Sequence, residues 1–195
     1  MSVSPVLRLA SQSPRRRELL AQIGVPHAVA VPDVDEGARA GEAVAAYVAR
    51  LATAKAEAIW RRLPDLPVLG ADTTVVLDGR SLGKPRDRAD GLSMLRALAG
   101  REHQVLTSVA LVTAAGTRCV TSCSTVRMRA SSDQERDRYW DTGEPCDKAG
   151  AYAIQGLGAI FIESLQGSYS GVMGLPLFET AQLLAAARVP CWSGS

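Results

Sequence analysis

Several ionisable and polar side chains fall where the predicted elements end: Ser11, Arg15, Arg16, Glu36, Lys55, Asp72, Thr73, Lys84, Asp147, Lys148 and Gln155. Basic groups at a helix N-terminus (Arg15, Arg16), with lysines in otherwise awkward positions (Lys55, Lys84), suit a polyanion such as a triphosphate. Carboxylates within such a basic set (Glu36, Asp72) could hold a divalent cation or deprotonate water. No serine or cysteine has an evident histidine base beside it, so a covalent triad matches poorly. Singly, each residue has an ordinary explanation. First-turn arginines are usually solvated, a strand-end aspartate is commonly a cap or turn former, and Asp147 with Lys148 could be a modest ion pair. Together they point to metal-assisted hydrolysis of a phosphate ester or anhydride.

Two near-motifs are set aside. "GRSLGKPR" (79–86) has one residue too few between its glycines for a phosphate-binding loop, and Pro85 stands where a metal-binding Ser or Thr belongs. "GLGAIF" (156–161) begins like a dinucleotide fingerprint but lacks its third small residue and following helix.

The elements that must position these residues follow from periodicity. Residues 5–11 read as a strand feeding a helix with Ser13 as N-cap, Pro14 at its first position, an apolar stripe of Leu19, Leu20 and Ile23, and Gly24 as stop. Arg15, Arg16 and Arg17 then sit at the positive end of the helix dipole, where each cation costs ~0.3–1 kcal/mol. An anion beyond the helix end would offset that. Arg15 and Arg16 are expected to aim at it and Arg17 at solvent. An irregular acidic stretch "VPDVDEG" precedes a helix from about Gly41 to Leu63, whose apolar stripe of Val44, Val48, Leu51 and Ile59 also includes Lys55.

Next come an apolar strand containing Asp72 and Thr73, an Asp78-Gly79 hairpin signal, and a return strand toward Lys84. Alternation sets Asp72 on one strand face with Gly70 and Thr74, and Thr73 on the other. Asp87 can cap a helix carrying Leu92, Leu95 and Leu98. Residues 103–113 and 117–129 read as a hairpin joined around Ala115-Gly116. Ser132 and Glu135 form a capping-box signature, "AIFIESL" reads as a strand, and a last helix runs from Pro176 to about Arg188. The pattern is α/β. One domain over residues 1–190 and a loosely docked tail at 191–195 are expected.

A chain of 195 residues with 47% hydrophobic content can bury a substantial core, and its net charge of +2 is too small to imply a nucleic-acid surface. No stable nucleic-acid partner is expected. No apolar run approaches a membrane span and no secretory h-region is evident, so a cytoplasmic location is expected. Cys119, Cys123, Cys146 and Cys191 form no CxxC pair and read as small hydrophobes.

"LASQSPRRRELL", "VLGADTTVV", "LGKP", "DKAGAYAIQG" and "GSYSGVMGLPLFET" resemble, in order and along nearly the whole chain, the motifs of the Maf family of nucleoside triphosphate pyrophosphatases. The resemblance implies a curved mixed β-sheet with flanking helices and two lobes around a central cleft, akin to the inosine-triphosphate pyrophosphatases. It implies a Mg²⁺ or Mn²⁺ cofactor and a nucleoside triphosphate substrate, and it is compatible with a homodimer. "DKAGAYAIQG" is similar to the branch acting on dTTP and UTP, with modified pyrimidine nucleotides as further house-cleaning substrates. Two alternatives stay open: the same reaction on another base such as 7-methyl-GTP, and a non-catalytic nucleotide-binding regulator of cell division and septum formation.

By the same resemblance Asp72 is the proton acceptor or a metal-associated carboxylate, and Glu36 a second metal carboxylate. Arg15, Thr73 and Gln155 mark selectivity. Arg16, Lys55 and Lys84 contact phosphates, Ser11 bonds a phosphate oxygen, and Asp147 and Lys148 belong to the pyrimidine-branch motif. A Gln155 amide carries a donor and an acceptor that match N3–H and a carbonyl of uracil or thymine. Gly171, Met173 and Thr74 depart from the family's common residues.

Overall fold

The structure is a computed structural model and describes residues 4–192. Strand β1 (Leu7–Ala10) feeds helix α1 (Pro14–Gln22) as the pattern predicts. Then follow β2 (His27–Ala30), α2 (Val44–Arg62), β3 (Val68–Leu77), β4 (Arg80–Leu82), α3 (Arg88–Leu98), β5 (Glu102–Thr113) and β6 (Gly116–Met128). Helix α4 (Asp133–Asp141), short 3-10 turns, β7 (Ile162–Gln166), α5 (Tyr169–Met173) and α6 (Leu177–Ala186) complete the chain. The strands form one seven-stranded sheet in the order β2-β1-β3-β5-β6-β7, with β4 beside β3. β1 is parallel to β2 and β3, β4 is antiparallel to β3, and β7 is antiparallel to β6, so the sheet is mixed, as expected. Among the described residues no helix is long and apolar enough to cross a membrane.

The chain divides into two compact units, Met1–Asp72 with Thr107–Ser122 and Gly174–Ser195, and Thr73–Leu106 with Cys123–Met173. In the first, Ala10, Ala52, Ala56, Ile59, Val68, Ala110 and Val112 pack together. Small residues dominate there, so helix and sheet backbones approach closely. In the second, Val75, Leu95, Leu98, Val126, Tyr139, Tyr152 and Phe161 belong to a larger, more aromatic core.

Local signals account for most boundaries. The Asp87 side chain accepts the N–H of Asp90 at the start of α3, and Ser132 with Glu135 completes a capping box on α4. Asp78 and Gly79 both adopt positive φ, the conformation a two-residue hairpin between β3 and β4 requires. Thr74, one of the departures from the family pattern, pairs its hydroxyl with that of Ser81 across this hairpin at 2.5 Å.

Other expectations are corrected. Ser13 is the N-cap residue of α1 but makes no side-chain capping bond; instead its N–H donates to Ser11 Oγ at 3.1 Å. Helix α2 starts at Val44, because Gly41 takes a φ of +71°, outside the helical region. β2 carries no alternation of its own and is defined by its parallel pairing with β1. "AIFIESL" becomes a strand only from Ile162, since Leu157–Phe161 forms a 3-10 turn. Cys119, Cys123 and Cys146 are exposed, not buried. For Cys119 and Cys123 the reason is that the first half of β6 is solvated over almost its whole length. The tail is docked through its backbone, the Trp192 N–H donating to the Ile23 carbonyl at 2.8 Å; residues 193–195 of the expected tail lie outside the described residues.

Candidate functional site

In the first unit the site is built on one helix-strand contact. Helix α2 lies on β3 at Gly70, where a Cβ would come within 2.4 Å of the Ala52 carbonyl oxygen and 2.7 Å of the Ala56 nitrogen. Lys55 lies between those alanines on the buried stripe, and Asp72 lies two residues beyond Gly70 on the same strand face. The contact seats the Lys55 ammonium 2.7 Å from Asp72 Oδ1 and 2.8 Å from Glu36 Oε1. Lys55 and Asp72 are each only 8% exposed, so this lysine is held inside rather than snorkelling. Burial pushes the Asp72 carboxyl above the usual carboxylate range; the Lys55 charge and hydrogen bond and the Arg16 charge pull it down, and Glu36 repels it up again, leaving it raised. A carboxylate with raised proton affinity is a better base than a solvated one.

Helix α1 supplies the cations. Arg16 is anchored, its Nε donating to the Gly174 carbonyl at 2.8 Å and a guanidinium nitrogen to Ser11 Oγ at 3.2 Å. Burial lowers its pKa and Asp72 opposes that, with Arg15 and Glu36 acting in opposite senses; it remains a guanidinium. Arg15 is half-buried and near enough to Arg16 to be felt by it, while Arg17 is exposed, as expected. The Ser11 oxygen, buried, accepts from both Arg16 and the Ser13 N–H, so toward an anion its remaining role is to donate its proton.

Sequence reasoning missed the side chains that fix the Glu36 loop. The Tyr47 hydroxyl donates to the Glu36 carbonyl at 3.0 Å. Arg50 donates to the Gly37 carbonyl at 3.0 Å and makes a two-pronged pair with Glu42 at 2.6 and 2.7 Å, while Glu42 also accepts the Arg39 N–H. The Arg50 hydrogen bonds hold the Glu42 carboxyl down at about 2. Their only sequence signal is that Tyr47 and Arg50 are helical neighbours, three residues apart on α2.

In the second unit, Thr73 opens the remaining half of β3 and is half-buried. Gly150 brings "DKAG" against this strand: a Cβ there would lie 2.8 Å from a Val75 methyl, and the Gly150 N–H donates to the Gly83 carbonyl at 3.0 Å, beside Lys84. Lys84 is exposed. Lys148 bonds Asp147, the lysine side chain being 14% exposed and the aspartate 64%. Gln155 is exposed on the segment that follows. The structure thus groups Ser11, Arg16, Glu36, Lys55 and Asp72, with Arg15 close to Arg16, within the first unit. Within the second, the Gly150–Gly83 hydrogen bond joins the segments that carry Lys148 and Lys84.

Asp72 and Glu36 converge on one cation, and both offer hard oxygen donors. Among the described residues no group of three or more His, Cys, Asp or Glu could hold a metal ion. Their donor chemistry is of the kind Mg²⁺ takes from a protein, which is commonly one or two carboxylates with water and substrate phosphates completing the shell.

A family model described as Maf-like protein matches residues 6–187. The chain is 55% identical over 198 residues to a Bordetella avium protein named dTTP/UTP pyrophosphatase, covering 97% of this chain and 98% of that one. Proteins of the same name are 54% identical over 190 residues in Hahella chejuensis (96% and 94% covered) and 56% identical over 194 in Bordetella parapertussis (95% and 94%). The solved structure of the Staphylococcus aureus Ham1 protein is similar over 63% of this chain and 71% of that one, with a TM-score of 0.46 and 17% identity.

Proposed function

Because the chain belongs to the Maf family, we propose that it is a nucleoside triphosphate pyrophosphatase acting on dTTP and UTP. Water attacks the α-phosphorus, Asp72 accepts its proton, and the bond to the bridging oxygen breaks to give the nucleoside monophosphate and pyrophosphate. The observation that carries this reading is the buried Lys55–Asp72 pair, with the Glu36 carboxylate on the same ammonium. Asp72 regains its unprotonated form by releasing the proton to solvent.

Negative charge grows on the departing pyrophosphate, and fixed cations favour that growth most where water is scarce. Arg15, Arg16, Lys55 and Lys84 supply them, with Ser11 as a hydroxyl donor to a phosphate oxygen. Asp72 and Glu36 would hold Mg²⁺ or Mn²⁺, which when bound adds Lewis-acid stabilisation of phosphoryl oxygens. Arg15, Thr73 and Gln155 mark the base selectivity, Gln155 by matching a donor and an acceptor on uracil or thymine, and Asp147 and Lys148 belong to the same pyrimidine-branch motif.

The test is a nucleotide panel with either metal. The reading expects kcat/KM for dTTP and UTP to exceed that for CTP, dATP and dGTP by about tenfold or more, in the range one hydrogen-bonding group can discriminate. A rate with 7-methyl-GTP equal to or above that with dTTP would contradict it.

A further inference from the structure

Glu144, in the 3-10 turn after α4, lies outside the hydrolytic set, yet its carboxylate is filled by donors around one short segment. Its Oε1 accepts from the Tyr139 hydroxyl at 2.7 Å and from the Gly158 N–H at 2.9 Å, and its Oε2 accepts from the Leu157 N–H at 2.8 Å. The Tyr139 oxygen in turn accepts the Ala153 N–H at 3.1 Å. Two side chains therefore grip a single loop on both sides of Gln155, at Ala153 before it and at Leu157 and Gly158 after it.

The glycines of "GLG" have their explanation here. A Cβ at Gly156 would stand 2.0 Å from Glu144 Oε2, and one at Gly158 would stand 2.5 Å from the Tyr139 hydroxyl oxygen. What looks in the sequence like a fragment of a nucleotide fingerprint is clearance for a carboxylate and a phenol. Burial alone would push Glu144 up, but the Tyr139 hydroxyl, the two backbone N–H groups and the Lys148 charge hold it below the usual range. Burial and the Glu144 bond push the Tyr139 hydroxyl well up, so it stays a donor. These are charge-assisted bonds, about twice as strong as neutral ones.

An exposed amide on a loop offers donor and acceptor in either order, so it reads a base only if its backbone is fixed. We propose that Glu144, with Tyr139, is a positioning residue for base selection, acting through the backbone on either side of Gln155. This rests on the reading of Gln155 as a base-selective residue.

The test is steady-state kinetics with dTTP and CTP on the full chain, comparing wild type, Glu144→Gln, Tyr139→Phe, Gln155→Ala and the Glu144→Gln/Gln155→Ala double variant. Glu144→Gln turns one acceptor into a donor facing a donor. It is expected to raise the dTTP KM and lower the dTTP:CTP ratio of kcat/KM about tenfold, with kcat within about twofold. In the Gln155→Ala background it should add less than about twofold, because the two act as one unit. Exchange of the Leu157 and Gly158 amides should quicken about tenfold or more in Glu144→Gln.

Unchanged selectivity in Glu144→Gln, or a full effect on top of Gln155→Ala, would overturn the proposal while leaving Gln155 as a base reader. Unchanged selectivity in Gln155→Ala would overturn that reading, and this proposal with it. Should Glu144→Gln not fold, Tyr139→Phe decides: faster Ala153 amide exchange with lost selectivity supports the proposal, and wild-type selectivity overturns it.

Discussion

The ammonium of Lys55 lies 2.7 Å from Asp72 Oδ1, across a helix-strand contact that closes only because Gly70 has no side chain. Charge, burial and backbone approach are thus set by one local arrangement. Breaking a buried pair by removing one partner leaves a charge uncompensated, so Lys55→Met should lower stability by ~3–5 kcal/mol. Chemical denaturation of the purified variant measures this. A loss under ~1 kcal/mol would mean the pair behaves as a solvated surface bridge.

Asp72→Asn keeps shape and removes the proton acceptor. The expected loss in kcat is about 10²–10⁴-fold, with nucleotide binding retained. A non-catalytic regulator would keep its cellular effect in this variant, so complementation scored beside turnover separates an enzyme from a binding protein.

Gly70→Ala places a methyl group into the α2 backbone at Ala52 and Ala56. Overpacking of this kind costs ~1–3 kcal/mol, and here it also parts Lys55 from Asp72. Denaturation and kcat should fall together; a stable variant with reduced kcat would show that spacing at the pair matters apart from folding.

Tyr47→Phe removes one hydrogen bond to the Glu36 carbonyl and leaves every carboxylate in place. Outer partners of metal carboxylates are worth about 10–100-fold in metal affinity, and a backbone tether should fall near the low end. The Mg²⁺ concentration for half-maximal activity should rise toward tenfold with kcat at saturating metal little changed, which a metal titration reads directly.

His103 is 3% exposed, bonded through Nε2 to the Tyr152 hydroxyl at 2.8 Å, and among the described residues its Nδ1 has no hydrogen-bond partner. Burial lowers its pKa from 6.5 to about 4. Between those values the unfolded chain binds the proton and the folded chain does not, so stability rises with pH across that window. The contribution is fully present above pH 6.5 and is lost as the pH falls toward 4, on the order of 3 kcal/mol. Denaturation midpoints from pH 4 to 7 should flatten in His103→Asn if this ring carries the dependence.

The legible parts of the molecule are those that local periodicity and capping decide. Lys55 is recognisable because a 3.6-residue stripe carries it inward, and the α3 and α4 caps follow from Asp87 and Ser132 with Glu135. The Asp78-Gly79 hairpin is equally local. β2 is not, since its four residues are a strand only by pairing with β1. The Tyr47 and Arg50 hold on the Glu36 loop, the Arg16 anchor at Gly174 and the Glu144 grip on Leu157 and Gly158 join residues through space. No spacing rule reports them. The glycines of "GLG" show how a pattern misleads when the reason for small residues is a side chain rather than a ligand.

Hydrolysis of dTTP in ¹⁸O-labelled water, with products separated by chromatography and weighed by mass spectrometry, tests the central claim most directly. Attack at the α-phosphorus predicts dTMP and pyrophosphate in equal amounts, with the label in dTMP. Release of dTDP and orthophosphate, or label in the pyrophosphate, would contradict it.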